Sequence, residues 1–383
     1  MIYFDQAASS FPKPIQVADA MYDNIVSNGA NPGRGGHQFA KKAAHIIQDT
    51  RENVANTFGC SNPKQCLFYV NATTALNQAI HGLNLQEGDH VLTTSYEHNS
   101  IRRPLESLKK NKHIEVTHII GETDEEFIEH MSQSIRTNTK LIAITHASNV
   151  TGAMNPIKDV SMIAKRHSIP ILIDASQTAG HIPIHMKNEG IDMLAFPGHK
   201  GLLGPQGTGV LLVEGNMDLY PLIQGGTGAF SEQPEQPLQW PERLESGTLN
   251  TPGIAGLNEA VKLFMKQENK NVPRETLLIN KLINGLKKMP DLTLYGPESN
   301  DNRLPIMAFN VKNADSQEIA MVLDSHYNIA VRGGLHCNPL THHVLGTSEQ
   351  GAVRISLSQY NTEEEVDQFL SAMKEIVIAY SEL

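Results

Sequence analysis

Four apolar runs between residues 90 and 196 each end in polar residues able to do chemistry. Ser95-Tyr96-Glu97-His98 follows 90–94, His146-Ala147-Ser148-Asn149 follows 141–145, Asp174-Ala175-Ser176-Gln177 follows 169–173, and Pro197-Gly198-His199-Lys200 follows 192–196. Ligands of open α/β sheets bind beyond the carboxyl ends of the strands. These segments would therefore bring a carboxylate, an amine, imidazoles and amides to one rim.

That set suits a pyridine aldehyde, pyridoxal 5'-phosphate (PLP). The cofactor acts as an electron sink only while its ring nitrogen stays protonated against a carboxylate, and Asp174 is the candidate. Lys200 supplies the amine that holds the aldehyde as an imine and later moves a Cα proton, a task helped by burial and cationic neighbours. His98 is placed to stack on the ring, Gln177 to donate to the phenolic oxygen, and Asn149 to reach cofactor and substrate from the same rim. A phosphate needs backbone N–H groups at a helix start together with hydroxyl donors. Asn71-Ala72-Thr73-Thr74 opens a predicted helix after the apolar run 67–70, so Ala72 and Thr73 are assigned to the phosphate, with His199 as a further contact.

The elements that must carry these residues alternate. Short β-branched runs at 90–94, 141–145, 169–173 and 209–213 are interleaved with helix-period stretches at 39–58, 74–83 and 159–167. Such alternation predicts an α/β fold with a mainly parallel sheet covered on both faces. From about residue 255 the texture changes to helical patterns at 255–270 and 275–288, separated strands near 305–311 and 353–358, and a closing helix from 362 to about 380. The Pro- and Gln-rich stretch 231–241 reads as an exposed loop. The expected division is a large domain, 15–260, and a smaller α+β domain made of 1–14 with 261–383.

Composition narrows the function classes. With 40% apolar and 19% charged residues, the 383-residue chain can bury a substantial core. A net charge of −10 argues against a nucleic-acid surface, which needs clustered Lys and Arg. The start has no basic and then apolar signal pattern, and no apolar run approaches the length of a membrane span, so a cytoplasmic location without membrane partners is expected. Three cysteines are too few for a disulfide framework, and Cys60 and Cys66 are given no role. Gly204-Pro205-Gln206-Gly207-Thr208-Gly209 lacks the dinucleotide-loop spacing, no P-loop sequence occurs, and His336, Cys337, His342 and His343 match no standard zinc spacing, so no metal is expected.

Over nearly its whole length the chain resembles the class V PLP-dependent aminotransferases, and within them the group II cysteine desulfurases and selenocysteine lyases. The resemblance is carried by Tyr3-Phe4-Asp5-Gln6-Ala7-Ala8, by the Gly-rich Asn31-Pro32-Gly33-Arg34-Gly35-Gly36-His37, and by Glu97-His98-Asn99-Ser100. It continues through Asp174-Ala175-Ser176-Gln177, Gly198-His199-Lys200, Arg243-Leu244-Glu245-Ser246-Gly247-Thr248, Arg332-Gly333-Gly334-Leu335-His336-Cys337 and Val353-Arg354-Ile355-Ser356.

The resemblance implies the type I fold of PLP-dependent transferases, with a large domain built on a seven-stranded, mainly parallel sheet. It also implies a homodimer in which Thr248 reaches the phosphate of the neighbouring subunit. Arg354 would take the substrate carboxylate, helped by Arg332 and His37, and Cys337 would attack the sulfur of L-cysteine to leave alanine and a persulfide for an acceptor protein or reductant. His336 and Arg332 beside Cys337 would favour its ionised thiol. Two positions depart from the family pattern: Pro197 stands where a phosphate-binding Ser is usual, and Leu335 where many desulfurases have His. The competing expectations are a selenocysteine lyase, an aminotransferase or racemase that makes no use of Cys337, and a catalytically silent binding protein.

Overall fold

The computed structural model describes residues 1–33, 36–121, 123–267, 272–297 and 302–381. In chain order the first part holds β1 (Ile2–Tyr3), α1 (Ile15–Ser27), α2 (Gln38–Phe58), β2 (Cys66–Tyr69), α3 (Ala72–Gly82), β3 (His90–Thr94), α4 (Asn99–Lys112), β4 (Glu115–Ile119), α5 (Asp124–Ser134), β5 (Thr139–Thr145), α6 (Ile157–Arg166), β6 (Ile171–Asp174), α7 (Met186–Glu189), β7 (Met193–Pro197) and β8 (Gly209–Val213). There follow α8 (Thr251–Gln267), α9 (Val272–Leu286), β9 (Leu292–Tyr295), β10 (Ile306–Val311), α10 (Ser316–Tyr327), β11 (Ile329–Ala330), α11 (Pro339–Val344), β12 (Val353–Ser356) and α12 (Glu363–Ser381).

Seven strands form the main sheet in the order β2-β8-β7-β6-β5-β3-β4. The neighbours from β7 through β4 pair in parallel, while β8 runs antiparallel to both β7 and β2. Successive strand residues point to opposite faces, so a strand covered on both sides must be apolar throughout. The two faces separate cleanly: Ile142, Ile144, Ile171, Ile173 and Phe196 pack with α2, α6 and α8 through Val54, Phe58, Val160 and Leu257. Leu141, Ala143, Leu172 and Ala195 pack instead with α3 and α4 through Leu76, Ile80, Ile101 and Leu105. Each such buried Leu, Ile, Val or Phe side chain contributes roughly 1.5–3 kcal/mol, so the sandwich of helices fixes the sheet, and with it the strand ends.

A second core surrounds the antiparallel sheet β12-β10-β9, covered by α9, α10 and α12 through Leu282, Ile319, Leu323 and Phe369. The chain start joins this core, because β1 pairs in parallel with β11 and Phe4 is buried there. Residue 260, where the sequence placed a boundary, lies inside α8, whose Leu257 and Val261 pack into the first core. Residues 268–270 of the helix expected at 255–270 lie outside the described residues, as do Arg34 and Gly35 of the Gly-rich loop. Among the described residues no helix is long and apolar enough to cross a membrane.

Candidate active site

The carboxyl ends of β5, β6 and β7, the N-termini of α3 and α4, the chain start and the segment around β12 close on a cavity of about 230 Å³. Ala72, Thr73, His98, Asn149, Asp174, Gln177, His199, Lys200, Arg332 and Arg354 all line it. Asp174 is the last residue of β6 and is 3% exposed; its Oδ1 accepts from Ser176 N at 2.9 Å, which fixes the carboxylate.

Lys200 follows β7 in a tight turn. Gly198 makes the turn possible, since a Cβ there would overlap Thr208 Oγ1. The carbonyl of His199 accepts from Ser10 N at 2.9 Å, Ser10 Oγ at 3.0 Å and Lys13 Nζ at 2.9 Å, so the chain start clamps the peptide that precedes the lysine. Burial pushes the Lys200 amine down to about 8, with Arg354 and Arg332 adding to the effect and Asp174 opposing it. An amine so tuned is available for proton transfer near neutrality.

His98 is the N-cap of α4, and its Nδ1 accepts from Ser100 N at 3.1 Å. That bond leaves the ring proton on Nε2 and fixes the ring plane. Burial and the Lys200 cation depress its pKa to about 4, so the ring is neutral. At the start of α3, Asn71 caps through Thr74 N at 2.8 Å, and Thr73 Oγ1 lies 2.8 Å from Ser100 Oγ. First-turn amides have no intrahelical partner, so this corner presents N–H groups and two hydroxyls to an anion. His199 is also held neutral, down to about 4, by burial and the cations of Lys200 and Lys13, and its buried Nδ1 has no partner among the described groups. Gln177 Nε2 reaches Ala7 O at 3.3 Å, and Asn149 Nδ2 donates to His336 O at 2.8 Å.

Arg354, on β12, is 1% exposed. Its Nη2 donates to Asp5 Oδ1 at 2.7 Å and its Nη1 to Asn149 O at 3.0 Å, while buried Nε has no partner. Arg332 lies on the neighbouring backbone, with Arg354 N donating to Arg332 O at 2.7 Å, and its Nη2 stands 3.9 Å from Cys337 Sγ. Cys337 is exposed, at φ 58°, after His336 at φ 50°. Cys60 and Cys66 are buried, and burial raises both thiols, that of Cys60 to about 11.

One expectation needs correction. His336 does not assist the thiol as an imidazolium: it is 2% exposed, and its Nε2 bonds Ala352 O at 2.9 Å, an acceptor that requires the proton on that nitrogen. Burial and the Arg354 cation push its pKa far down, so the ring stays neutral. Only Arg332 of the expected pair meets the sulfur.

Two further residues stand apart from the cavity of their own chain. His37 is exposed and caps α2, accepting from Ala40 N at 3.2 Å, and Thr248 is exposed, accepting from Asn31 Nδ2 at 3.2 Å. Sequence reasoning gave no role to Asp5, Ser10, Lys13 or Asn338. The chain start carries a family motif, yet nothing local shows that its Ser10 and Lys13 fold back on a residue more than 180 positions away.

The donor set fits PLP. A fixed carboxylate, an amine of lowered pKa, a neutral imidazole and a helix start with hydroxyls surround one cavity, and the orphaned Nδ1 of His199 and Nε of Arg354 leave polar capacity for a ligand.

Comparison with known proteins agrees with this chemistry. The family model for class-V aminotransferases matches residues 2–369. A probable cysteine desulfurase of Pyrococcus abyssi is 33% identical over 98% of this chain and 94% of its own length. A cysteine desulfurase of Escherichia coli O157:H7 is 31% identical, covering 98% and 93%. The apo structure of the cysteine desulfurase from Thermococcus onnurineus NA1 superposes with a TM-score of 0.92 at 31% identity, covering 99% of this chain and 95% of that one.

Proposed function

Since the chain belongs to the class-V aminotransferase family, we propose that it is a PLP-dependent cysteine desulfurase, converting L-cysteine to L-alanine with a persulfide formed on Cys337. The observation that carries this reading is the arrangement of Asp174, Lys200 and Arg354 around one cavity, with Arg332 linking that cavity to the Cys337 thiol at 3.9 Å.

Lys200 would hold the cofactor, with Asp174 against its ring nitrogen, His98 on its face, Gln177 and Asn149 toward its phenolic oxygen, and Ala72, Thr73 and His199 on its phosphate. When bound, the cofactor supplies an electron sink that makes the substrate Cα–H acidic. Arg354 offers a planar fork to the substrate carboxylate, held at the correct angle by Asp5, and Arg332 adds a second cation. Lys200 takes the Cα proton and later returns one to carbon. The Cys337 thiolate attacks the substrate sulfur, an S–S bond forms, the Cβ–S bond breaks with its electron pair left on carbon, and that carbon is protonated to give alanine. The persulfide then passes to an acceptor protein or a small reductant, for which the exposure of Cys337 provides access.

The same reading makes the enzyme a cytoplasmic homodimer in which Thr248 serves the neighbouring subunit's site, consistent with its place outside the lining of its own chain's cavity, and in which His37 helps to bind substrate. It keeps the division into 15–260 and 1–14 with 261–383. Thr73 and Ser100 would compensate for the hydroxyl missing at Pro197. The test is product analysis with L-cysteine and L-selenocysteine in parallel. Cys337→Ala is expected to stop alanine release from cysteine while leaving the yellow cofactor band, and unimpaired release would sink the persulfide mechanism.

A further inference from the structure

Three consecutive residues of the cysteine loop are each tied to the body that carries Lys200. His336 O accepts from Asn149 Nδ2 at 2.8 Å, and Cys337 O accepts from the backbone N–H of Asn99 at 2.9 Å. Asn338 Nδ2 donates to Tyr96 O at 2.7 Å and to Asn149 Oδ1 at 2.9 Å. Asn338 is fully buried although the cysteine before it is exposed. Both of its amide protons are therefore committed, and its Oδ1 faces Thr341 N at 3.4 Å at the start of α11. By donating to Asn149 Oδ1 it also fixes which way that amide points, so that Asn149 Nδ2 must face His336 O.

The loop needs such ties. His336 and Cys337 both adopt left-handed backbone, at φ 50° and 58°, a conformation costly for residues with a Cβ and kept only where surrounding contacts over-determine it. Asn338 bridges two segments of the site, the peptide of Tyr96 just before Glu97-His98 and the amide of Asn149, and neither is near it in sequence.

We propose that Asn338 is a positioning residue for Cys337, locking the loop so that the sulfur stands beside Arg332 at the edge of the cavity. The inference rests on the reading that Cys337 takes up the substrate sulfur.

Two reactions of the holoenzyme test it. Alanine release from L-cysteine needs Lys200 and Cys337, whereas exchange of the Cα hydrogen of L-alanine in D2O, followed by NMR, needs Lys200 alone. In Asn338→Ala, and in the near-isosteric Asn338→Asp should the first fold poorly, kcat for release is expected to fall roughly 10- to 100-fold with KM within about twofold, and exchange to stay within about twofold. Release kept at the parent rate, with Cys337→Ala inactive, overturns the proposal and leaves the desulfurase reading standing. A parallel fall of release and exchange overturns it too, because Asn338 would then only support the fold. Release that survives Cys337→Ala removes the reading and the inference together.

Discussion

Lys200 lines the cavity and Cys337 stands beside Arg332 outside its lining, and the two are held by opposite means. The lysine follows a buried strand, and four donors from Ser9, Ser10 and Lys13 converge on the carbonyl before it. Its loop is packed so tightly that Gly198 has no room for a Cβ. The cysteine is exposed in a loop of left-handed backbone, and that loop hangs on hydrogen bonds to side-chain amides and on one helix-start N–H that meets the carbonyl of Cys337. A group that moves a proton within a closed cavity gains from rigid placement. A group that must collect sulfur inside and surrender it outside gains from a hold that can be broken.

The sharpest division between the two regions comes from their deletion. Lys200→Ala is expected to lower both alanine release and Cα-hydrogen exchange by at least about 10³-fold, since the proton carrier serves every step. Cys337→Ala should lower release by a comparable factor and spare exchange. If exchange also disappears in Cys337→Ala, the two regions are not separable and the contrast fails.

The lysine side was also the more legible in sequence. Asp174 and Lys200 are found by the rule that ligands sit past strand ends, because β6 and β7 announce themselves as apolar runs. The cysteine side has no such rhythm: β11 is two residues long, α11 six, and Cys337 is identified only through the family resemblance. Helix α1 was missed for a related reason, since Ile15, Tyr22, Ile25 and Val26 are exposed and it buries only Val17 and Asn24. The contacts that orient the site, Asp5 with Arg354 and Asn338 with Tyr96, join residues 349 and 242 positions apart. Only the tertiary fold reveals them.

Glu97 sharpens the comparison through pH. Its carboxyl is fully buried and accepts from Thr94 Oγ1 at 2.7 Å and Thr145 N at 2.9 Å, while Oε2 has no partner. Burial pushes its pKa up to about 8, against these hydrogen bonds. Unfolded, the group titrates near the ordinary value of 4.5, so between about pH 4.5 and 8 the native state holds a proton that the unfolded state has released. Its stabilising contribution is complete below 4.5 and is lost as pH rises through 8. Glu97→Gln is expected to flatten the fall in stability over that window by on the order of 1 kcal/mol per pH unit, measured by urea unfolding at pH 5, 6, 7 and 8. An unchanged slope would mean that the carboxyl is already ionised in the native protein.

The smallest expected effect concerns Lys13. Its Nζ gives one of the four donors on His199 O and also donates to Ser10 Oγ at 2.6 Å, and burial lowers its pKa to about 8. Methionine in its place keeps most of the apolar stem and removes the charged donor, while both Ser10 donors remain. Loss of one such bond is worth about 1 kcal/mol, so Lys13→Met should slow Cα-hydrogen exchange roughly three- to tenfold through a looser Lys200 peptide. The alkylation rate of Cys337 by iodoacetamide should not change, because Lys13 Nζ donates to Ser10 Oγ and His199 O, neither of which belongs to the cysteine loop. Cys60 and Cys66 are buried and leave that reading clean. If alkylation shifts as much as exchange does, the clamp on His199 also governs the cysteine loop, and the two regions move as one.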